Sequence, residues 1–244
     1  DGAGLFKSYE DFLKSCTLEI IYAGFEPRTM LEPALRMASR LPERSPKSIK
    51  RPEAVAASET VDVVEEMEAE QDKLSLAYTT GKTLSFAEMN ALRFGCALFG
   101  GTPTSRLFVN VRERQSLCYY INCAASQESA GGAFVECGVD GSQVERALEA
   151  VEKELARLAE EGPTDKEMEE TALSFKNAYG SVRDSAGLIN NYLFSSIQRY
   201  GELIAPEELT AGLTAVTKEE VMRAMSSLHL NAVSRIKAKK GAGA

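Results

Sequence analysis

Residues 99–120, FGGTPTSRLFVNVRERQSLCYY, constrain the fold of this chain more than any other stretch. The Gly-Gly-Thr-Pro break ends the helix that precedes it. The hydroxyls of Thr104 and Ser105 can accept hydrogen bonds from the free N–H groups at the start of a new helix. That helix has an apolar face formed by Leu107, Phe108 and Val111. The stretch therefore predicts two helices separated by a sharp break, the second running to the tyrosine pair.

Arg112 and Tyr119 are the candidate binding residues of this stretch. They lie seven residues apart, so on one continuous helix their side chains project the same way. A fixed guanidinium beside a phenol can hold a peptide carbonyl and stabilise negative charge that develops on it. The structural alternative is a surface salt bridge from Arg112 to Glu113 or Glu136, with Tyr119 an ordinary aromatic at a strand start. Adjacent strand residues face opposite ways, and the spacing selects Tyr119 over Tyr120.

The same residues resemble the non-zinc, C-terminal half of the insulinase/pitrilysin family of zinc peptidases, which includes the mitochondrial processing peptidases. About ten defined positions agree over some twenty residues. They are Ser105-Arg106-Leu107-Phe108, then Arg112-Glu113-Arg114, then Leu117-Cys118-Tyr119. Cys118 stands where the family often has alanine, glycine or cysteine. A looser similarity covers most of residues 5–238.

The resemblance implies a fold, a partner and a site. Members of the family carry two similar halves, each a sheet backed by helices, which face each other across a large chamber. The catalytic half binds zinc through H-x-x-E-H and a distant glutamate, and the motif supplies the general base. By this resemblance, Arg112 and Tyr119 contact the backbone of a peptide or unfolded polypeptide substrate near the scissile bond, and zinc lies in the partner half.

The chain has one histidine, His229, and therefore cannot contain H-x-x-E-H. We assign it no catalytic and no metal-ligating residue, and we expect the chain alone to be inactive. A packing or capping role is favoured for His229. Two functions stay open. The chain either completes the active site of a zinc-bearing half or homologous subunit, or it is a zinc-less binding or assembly subunit; the retained Arg112 and Tyr119 favour the first.

Composition narrows the partners and the compartment. The net charge of −8 argues against a nucleic-acid partner, and no apolar run reaches the roughly eighteen residues of a membrane span. The five cysteines form no C-x-x-C pair, which indicates reduced thiols and a cytoplasmic protein. A zinc site built from three of them is conceivable, but buried thiols are favoured. These three are Cys118, Cys123 and Cys137.

The order of the predicted elements indicates an α+β fold: one domain over residues 1–238 with a mixed, largely antiparallel sheet and helices packed on one face. Helices are predicted at 5–14, 27–40, 85–100, 142–161, 164–200 with irregularities, and from 217; strands are predicted at 17–25, 60–67, 74–79, 120–126, 133–139 and 232–238. Residues 42–57 form a solvated linker or, less favoured, a binding loop, and residues 239–244 a loose tail.

Two surface features bear on association. Residues 59–72 contain seven acids and no base, which is typical of a solvated face or a protected edge strand, although attraction of basic peptides stays open. The resemblance also implies a concave sheet face that is exposed without its partner. We therefore expect self-association or binding of the missing half.

Overall fold

The computed structural model describes residues 1–22, 27–41, 43–47, 59–126 and 131–239. The helices are α1 (Gly2–Ser15), α2 (Pro27–Ala38), α3 (Phe86–Cys96), α4 (Val144–Glu161), α5 (Asp165–Gly180), α6 (Ala186–Tyr200), α7 (Pro206–Thr214) and α8 (Lys218–Ser226). The strands are β1 (Val61–Glu68), β2 (Asp72–Thr79), β3 (Cys118–Ala125), β4 (Gly132–Val139) and β5 (His229–Lys239). None of these helices is both long and apolar enough to cross a bilayer.

Local capping signals set several helix starts. The Ser85 hydroxyl accepts a hydrogen bond from the Glu88 N–H at 3.3 Å, and the Glu88 carboxylate accepts one from the Ser85 N–H at 2.9 Å. The same reciprocal pattern begins α5 and α8. The predicted helix over 164–200 is broken by the 3₁₀ turn Ser181–Asp184. Helix α7 was not predicted, although Pro206 in its first turn is a helix-start signal.

The five strands form one sheet in the order β1-β5-β2-β4-β3. Strand β1 runs parallel to β5, and the other neighbours are antiparallel. The last strand therefore inserts between the first two. This confirms the predicted α+β class with a mixed, largely antiparallel sheet, whereas the pairing of β1 with β5 was not predicted.

Helices cover one face of the sheet. Leu74, Leu76 and Tyr78 alternate along β2 toward that face and are at most 3% exposed. They pack with side chains from α3, α4 and α8, represented by Leu92, Phe94, Val151, Leu158, Val221 and Met225. The opposite face carries exposed aromatic residues of the two strands at the far edge, Tyr120 on β3 and Phe134 on β4. The predicted one-sided helical layer is therefore confirmed.

The acidic stretch, residues 59–72, contains the whole of the edge strand β1. Every residue of β1 is exposed, in agreement with a solvated edge. Two of its acids pair with β5: Asp62 with Arg235, and Glu66 with Lys239 at 2.9 Å. Of the predicted linker 42–57 only residues 43–47 are described, and residues 240–244 of the predicted tail lie outside the described ranges.

Residues 17–22 differ from the prediction. They form no strand and are not part of the described sheet. Residues 23–25 of the predicted strand lie outside the described part of the chain. A strand is defined by ladder hydrogen bonds to a neighbour, and no described strand pairs with this segment.

The single domain over residues 1–238 stays a prediction.

Candidate functional site

The helix that follows the glycine break is much shorter than predicted. We call residues 106–113 the motif helix; its larger part, Phe108–Glu113, is π-helical. The chain then turns back, with Ser116 N–H donating to the Arg112 carbonyl at 3.1 Å and Leu117 N–H donating to the Val111 carbonyl at 3.2 Å. Ser116 has a positive φ of 52°, a left-handed conformation that ends a helix. The predicted continuous helix to Tyr119 is therefore wrong, and Tyr119 lies on β3.

A β-bulge at the start of β3 turns both tyrosines outward. Cys118 pairs with Val139 and Tyr120 pairs with Gly138, which leaves Tyr119 as the extra residue. Without the bulge, alternation would have placed Tyr119 on the buried face with Ile121. Instead Tyr119 is 59% and Tyr120 40% exposed. The bulge therefore presents the Tyr119 phenol at the surface.

Arg112 lies at the end of the motif helix and is held loosely. Its guanidinium carbon is 4.5 Å from the centre of the Phe108 ring, a cation–π contact. Its Nη1 is 3.6 Å from Oε1 of Glu113, longer than a hydrogen bond. Among the described residues no side-chain hydrogen bond engages this guanidinium, so its donors stay available for a ligand.

Arg112 and Tyr119 line the same cavity, of about 420 Å³. Its other walls are Glu113, Ser116, Leu117, Cys118, Asp140 and Gln143. The structure therefore brings the two predicted site residues together, but by a turn and a bulge rather than by helical periodicity. Neither the turn nor the bulge was predicted from the sequence. Both π-helical turns and β-bulges are common next to functional sites.

Tyr120 has a different environment from Tyr119. A Cβ atom added to Gly138 would lie only 2.4 Å from Cε1 of Tyr120, so the Tyr120 ring lies directly over this glycine. Burial, with the nearby Cys137 and Glu136, raises the pKa of Tyr120. Tyr120 therefore packs on the open face of the sheet, away from the cavity lining.

The first arginine of the motif helix, Arg106, is buried and paired within the protein, although its buried Nη1 has no hydrogen-bond partner among the described residues. It is 8% exposed; its Nε donates to Oε1 of Glu167 at 2.7 Å and its Nη2 to the Gly162 carbonyl at 2.7 Å. Glu167 in turn caps α5 through Thr164. No separate role for Arg106 was predicted from the sequence. The predicted capping by Ser105 is wrong, because its buried hydroxyl has no hydrogen-bond partner among the described residues.

The site carries no activated nucleophile. Burial raises the pKa of the Cys118 thiol to about 11, with the charge of Arg112 opposing, so the thiol is protonated at neutral pH. All five cysteines are free thiols. The described residues contain no group of three or more possible metal ligands, so Cys118, Cys123 and Cys137 do not form one. What the cavity offers is a cation and a phenol that can bind and polarise a carbonyl.

Comparison with known proteins shows which family this chain matches. The model of the family "Peptidase M16 inactive domain" matches residues 5–174. The chain is 25% identical over 239 residues to "Probable inactive metalloprotease YmfF" of Bacillus subtilis, a match that covers 98% of this chain and 55% of that protein. It is 30% identical over 123 residues to "Uncharacterized zinc protease SCO5738" of Streptomyces coelicolor, covering 50% and 27%.

Two solved structures have folds similar to that of this chain. A conserved protein from Enterococcus faecalis superposes with a TM-score of 0.80 and 25% identity, over 97% of this chain and 56% of that one. A Peptidase M16 inactive domain from Pseudomonas fluorescens has the same fold, with a TM-score of 0.69 and 21% identity over 88% and 52%. The chain thus spans about half the length of such relatives. The family model matches most of the length of this chain, which therefore belongs to the Peptidase M16 inactive domain family.

Proposed function

We propose that this chain is the non-catalytic, substrate-binding half of a zinc-dependent endopeptidase. It completes the active site of a second half that carries the zinc motif. Arg112 and Tyr119 contact the backbone of a bound peptide. This chain has one histidine and cannot contain H-x-x-E-H, so the histidines and glutamates of the second half would hold the zinc, which would supply Lewis-acid chemistry there.

The observation that carries the proposal is the shared cavity of Arg112 and Tyr119. A purely structural arginine on this helix is expected to be buried and paired, as Arg106 is. Among the described residues, Arg112 instead has a ring contact with Phe108 and a 3.6 Å approach to Glu113 and no side-chain hydrogen bond. A half-buried cation that keeps unbonded donors beside an exposed phenol is explained if a ligand binds those donors.

The two side chains act on the substrate by position and charge. The guanidinium offers several N–H donors in a fixed plane, suited to backbone carbonyl oxygens. The phenol of Tyr119 supplies one further donor. Donors set in place before the reaction stabilise charge on the carbonyl oxygen as it forms, without reorganising. The open face of the sheet beside the cavity supports an extended peptide or unfolded segment.

The second candidate function is a zinc-less binding or assembly subunit. The name of the Bacillus subtilis relative, "Probable inactive metalloprotease", favours it. In that case the complementary half lacks the zinc motif as well. Self-association would then serve assembly and not cleavage.

Reconstitution separates the two candidates. The complementary half, made as a separate polypeptide, is mixed with this chain, and zinc content and cleavage of an unfolded protein are measured for each part and for the mixture. We expect one zinc per complex, held by the complementary half, and cleavage only in the mixture. A complex that forms without zinc and without cleavage supports the assembly subunit and overturns the peptidase proposal.

A further inference from the structure

Asn110 connects the motif helix to α4. It lies two residues before Arg112, within the π-helical part of the motif helix. Its Nδ2 donates to Oε2 of Glu154 at 2.8 Å, and its Oδ1 accepts from Nη1 of Arg114 at 3.1 Å. Its backbone carbonyl accepts from Nε2 of Gln115 at 2.9 Å. Both ends of the side-chain amide and the backbone carbonyl are therefore engaged.

Glu154 is a buried carboxylate on the packing face of α4. It is 5% exposed, and the other buried residues of this helix are apolar: Ala147, Ala150, Val151, Leu155 and Leu158. Its second partner is Nη1 of Arg157 at 2.9 Å, on a side chain that is 44% exposed. A buried carboxylate costs free energy that an apolar side chain would avoid, so packing by itself does not favour glutamate here. What the carboxylate supplies is a fixed acceptor for Asn110.

The turn that carries Arg112 has an unusual backbone. Within Phe108–Glu113 the hydrogen bonds span five residues, as in the 3.0 Å bond from the Arg114 N–H to the Val109 carbonyl. Such π-helical turns are rare, and the α-helix is the ordinary form of a helical segment. Contacts outside the turn can therefore decide which form it keeps, and the bond from Asn110 to Glu154 is such a contact.

Asn110 and Arg112 line different cavities. Residues two apart on a helix do not face the same way. Asn110 lines a cavity of about 410 Å³ together with Glu154, whereas Arg112 lines the cavity of about 420 Å³ together with Tyr119. The Arg112 guanidinium lies 4.5 Å from the centre of the Phe108 ring. A change of the turn at Asn110 would therefore displace the guanidinium on the other side.

We infer that Glu154 and Asn110 are positioning residues, which together set where the Arg112 guanidinium lies beside Tyr119. Neither is among the residues that line the cavity of Arg112 and Tyr119, so they act through the backbone of the turn. A displacement of about 1 Å, caused far from the chemistry, can lower a rate about 10²-fold. The effect on the place of Arg112 stands by itself, whereas its consequence for cleavage rests on the proposed function.

NMR of this chain alone tests the positioning. The Nε–H signal of Arg112, identified by its loss in Arg112→Ala, is shifted by the neighbouring Phe108 ring. Glu154→Leu and Asn110→Ala should each move it towards the signal of an unstructured arginine. Arg157→Ala is the matched control, because it removes the other partner of the same carboxylate, and it should leave the signal in place. A signal that neither variant moves, or that Arg157→Ala moves equally, would overturn the inference.

Urea unfolding of the same samples separates positioning from stability. Glu154→Leu should not lower the urea midpoint, because an apolar side chain replaces a buried charge. A moved Arg112 signal in a variant of undiminished stability supports positioning. A signal that moves only in proportion to lost stability would overturn it. Asn110→Ala changes a half-buried site and gives the same comparison if Glu154→Leu does not fold.

Cleavage by the reconstituted protein tests whether the two residues act through Arg112. Asn110→Ala is expected to lower turnover about tenfold, but less than about twofold further when it is added to Arg112→Ala, because the group that it positions is then gone. Equal losses in both backgrounds would overturn the inference. If the Arg112 signal responds as expected while the unmodified complex does not cleave, the proposed function is refuted and the inference stands.

Discussion

The two arginines of the motif helix stand in opposite situations. Arg106, at its start, is 8% exposed and makes a bidentate pair with Glu167 together with a bond to the Gly162 carbonyl. Arg112, at its end, lines an open cavity, and its partners in the described part of the chain are the Phe108 ring and the Glu113 carboxylate at 3.6 Å. Arg106 donates from Nε and Nη2 within the protein, whereas the Arg112 guanidinium makes no side-chain hydrogen bond among the described residues.

The contrast indicates that, within one short motif, Arg106 serves the stability of the fold and Arg112 is available for binding. A buried arginine whose partner is also partly buried contributes by preventing an unpaired charge. A half-buried arginine whose one ion pair is long and partly solvated contributes little to stability, because water and salt screen it. The same residue type, six positions apart, should therefore respond to mutation in different assays. The predictions below test this contrast, from the largest expected effect to the smallest.

Arg106→Ala should destabilise the protein by about 3–5 kcal/mol, because Glu167 then loses its buried partner. The free energy of unfolding in urea measures this. Arg114→Ala is the control: Arg114 is exposed and makes one 3.1 Å hydrogen bond to Asn110, so its loss should stay within about 0.5 kcal/mol. If both variants lose equally little, the buried pair with Glu167 is not a source of stability.

Arg112→Ala should reverse this pattern. In the reconstituted enzyme, loss of one preorganised donor group is expected to lower turnover by about 10²–10³-fold, or roughly 3–4 kcal/mol of transition-state stabilisation. Its free energy of unfolding should change by less than about 0.5 kcal/mol. A rise in KM is expected as well, since the guanidinium also positions the substrate. A variant that unfolds while its residual folded fraction cleaves normally would assign Arg112 to structure.

Tyr119→Phe should lower cleavage by about tenfold, the cost of one hydrogen bond of about 1.4 kcal/mol. Tyr120→Phe keeps the ring over Gly138 and removes a hydroxyl that does not line the cavity, so it should be nearly silent. Steady-state cleavage rates of the two variants, measured side by side, show which tyrosine hydroxyl contributes to cleavage. Equal loss in both would mean that the bulge at Tyr119 does not select the binding tyrosine.

The smallest effect is a pH dependence of the Arg106 pair. Burial raises the pKa of Glu167, but hydrogen bonds from Arg106 and Thr164 outweigh it and hold the pKa below the ordinary 4.5. A carboxyl whose pKa is lower in the folded state adds stability above its unfolded-state pKa and loses it as pH falls through the folded-state pKa. The difference in free energy of unfolding between the unmodified protein and Arg106→Ala should therefore shrink below pH 4.5. A difference that stays constant down to acid pH would contradict this.

Much of the fold could be predicted because its signals are local. The capping boxes at Ser85 and Thr164 set the starts of α3 and α5 through contacts within one helical turn. The alternation in β2 predicted which of its side chains are buried. Arg112 and Tyr119 line one cavity, although the helical spacing that suggested the pair is absent, and their role in substrate binding stays a prediction.

The features that sequence reasoning missed depend on distant residues. Strand β5 lies between β1 and β2 because of pairing between residues about 170 positions apart, such as Val61 and Ala232. The bulge that exposes Tyr119 is defined by the register against β4, which no local pattern around Tyr119 reveals. The engagement of Arg106 likewise requires Glu167, a residue of another helix.

By itself, therefore, the sequence determined where helices begin, which side chains of β2 are buried, that the chain has too few histidines for its own zinc motif, and which two residues are candidates for substrate contact. Only the tertiary structure decided that these two share a cavity and that Arg106 does not join them. The reason is physical: capping and alternation act over a few residues, whereas register, burial and pairing are set by segments that meet only in the folded chain.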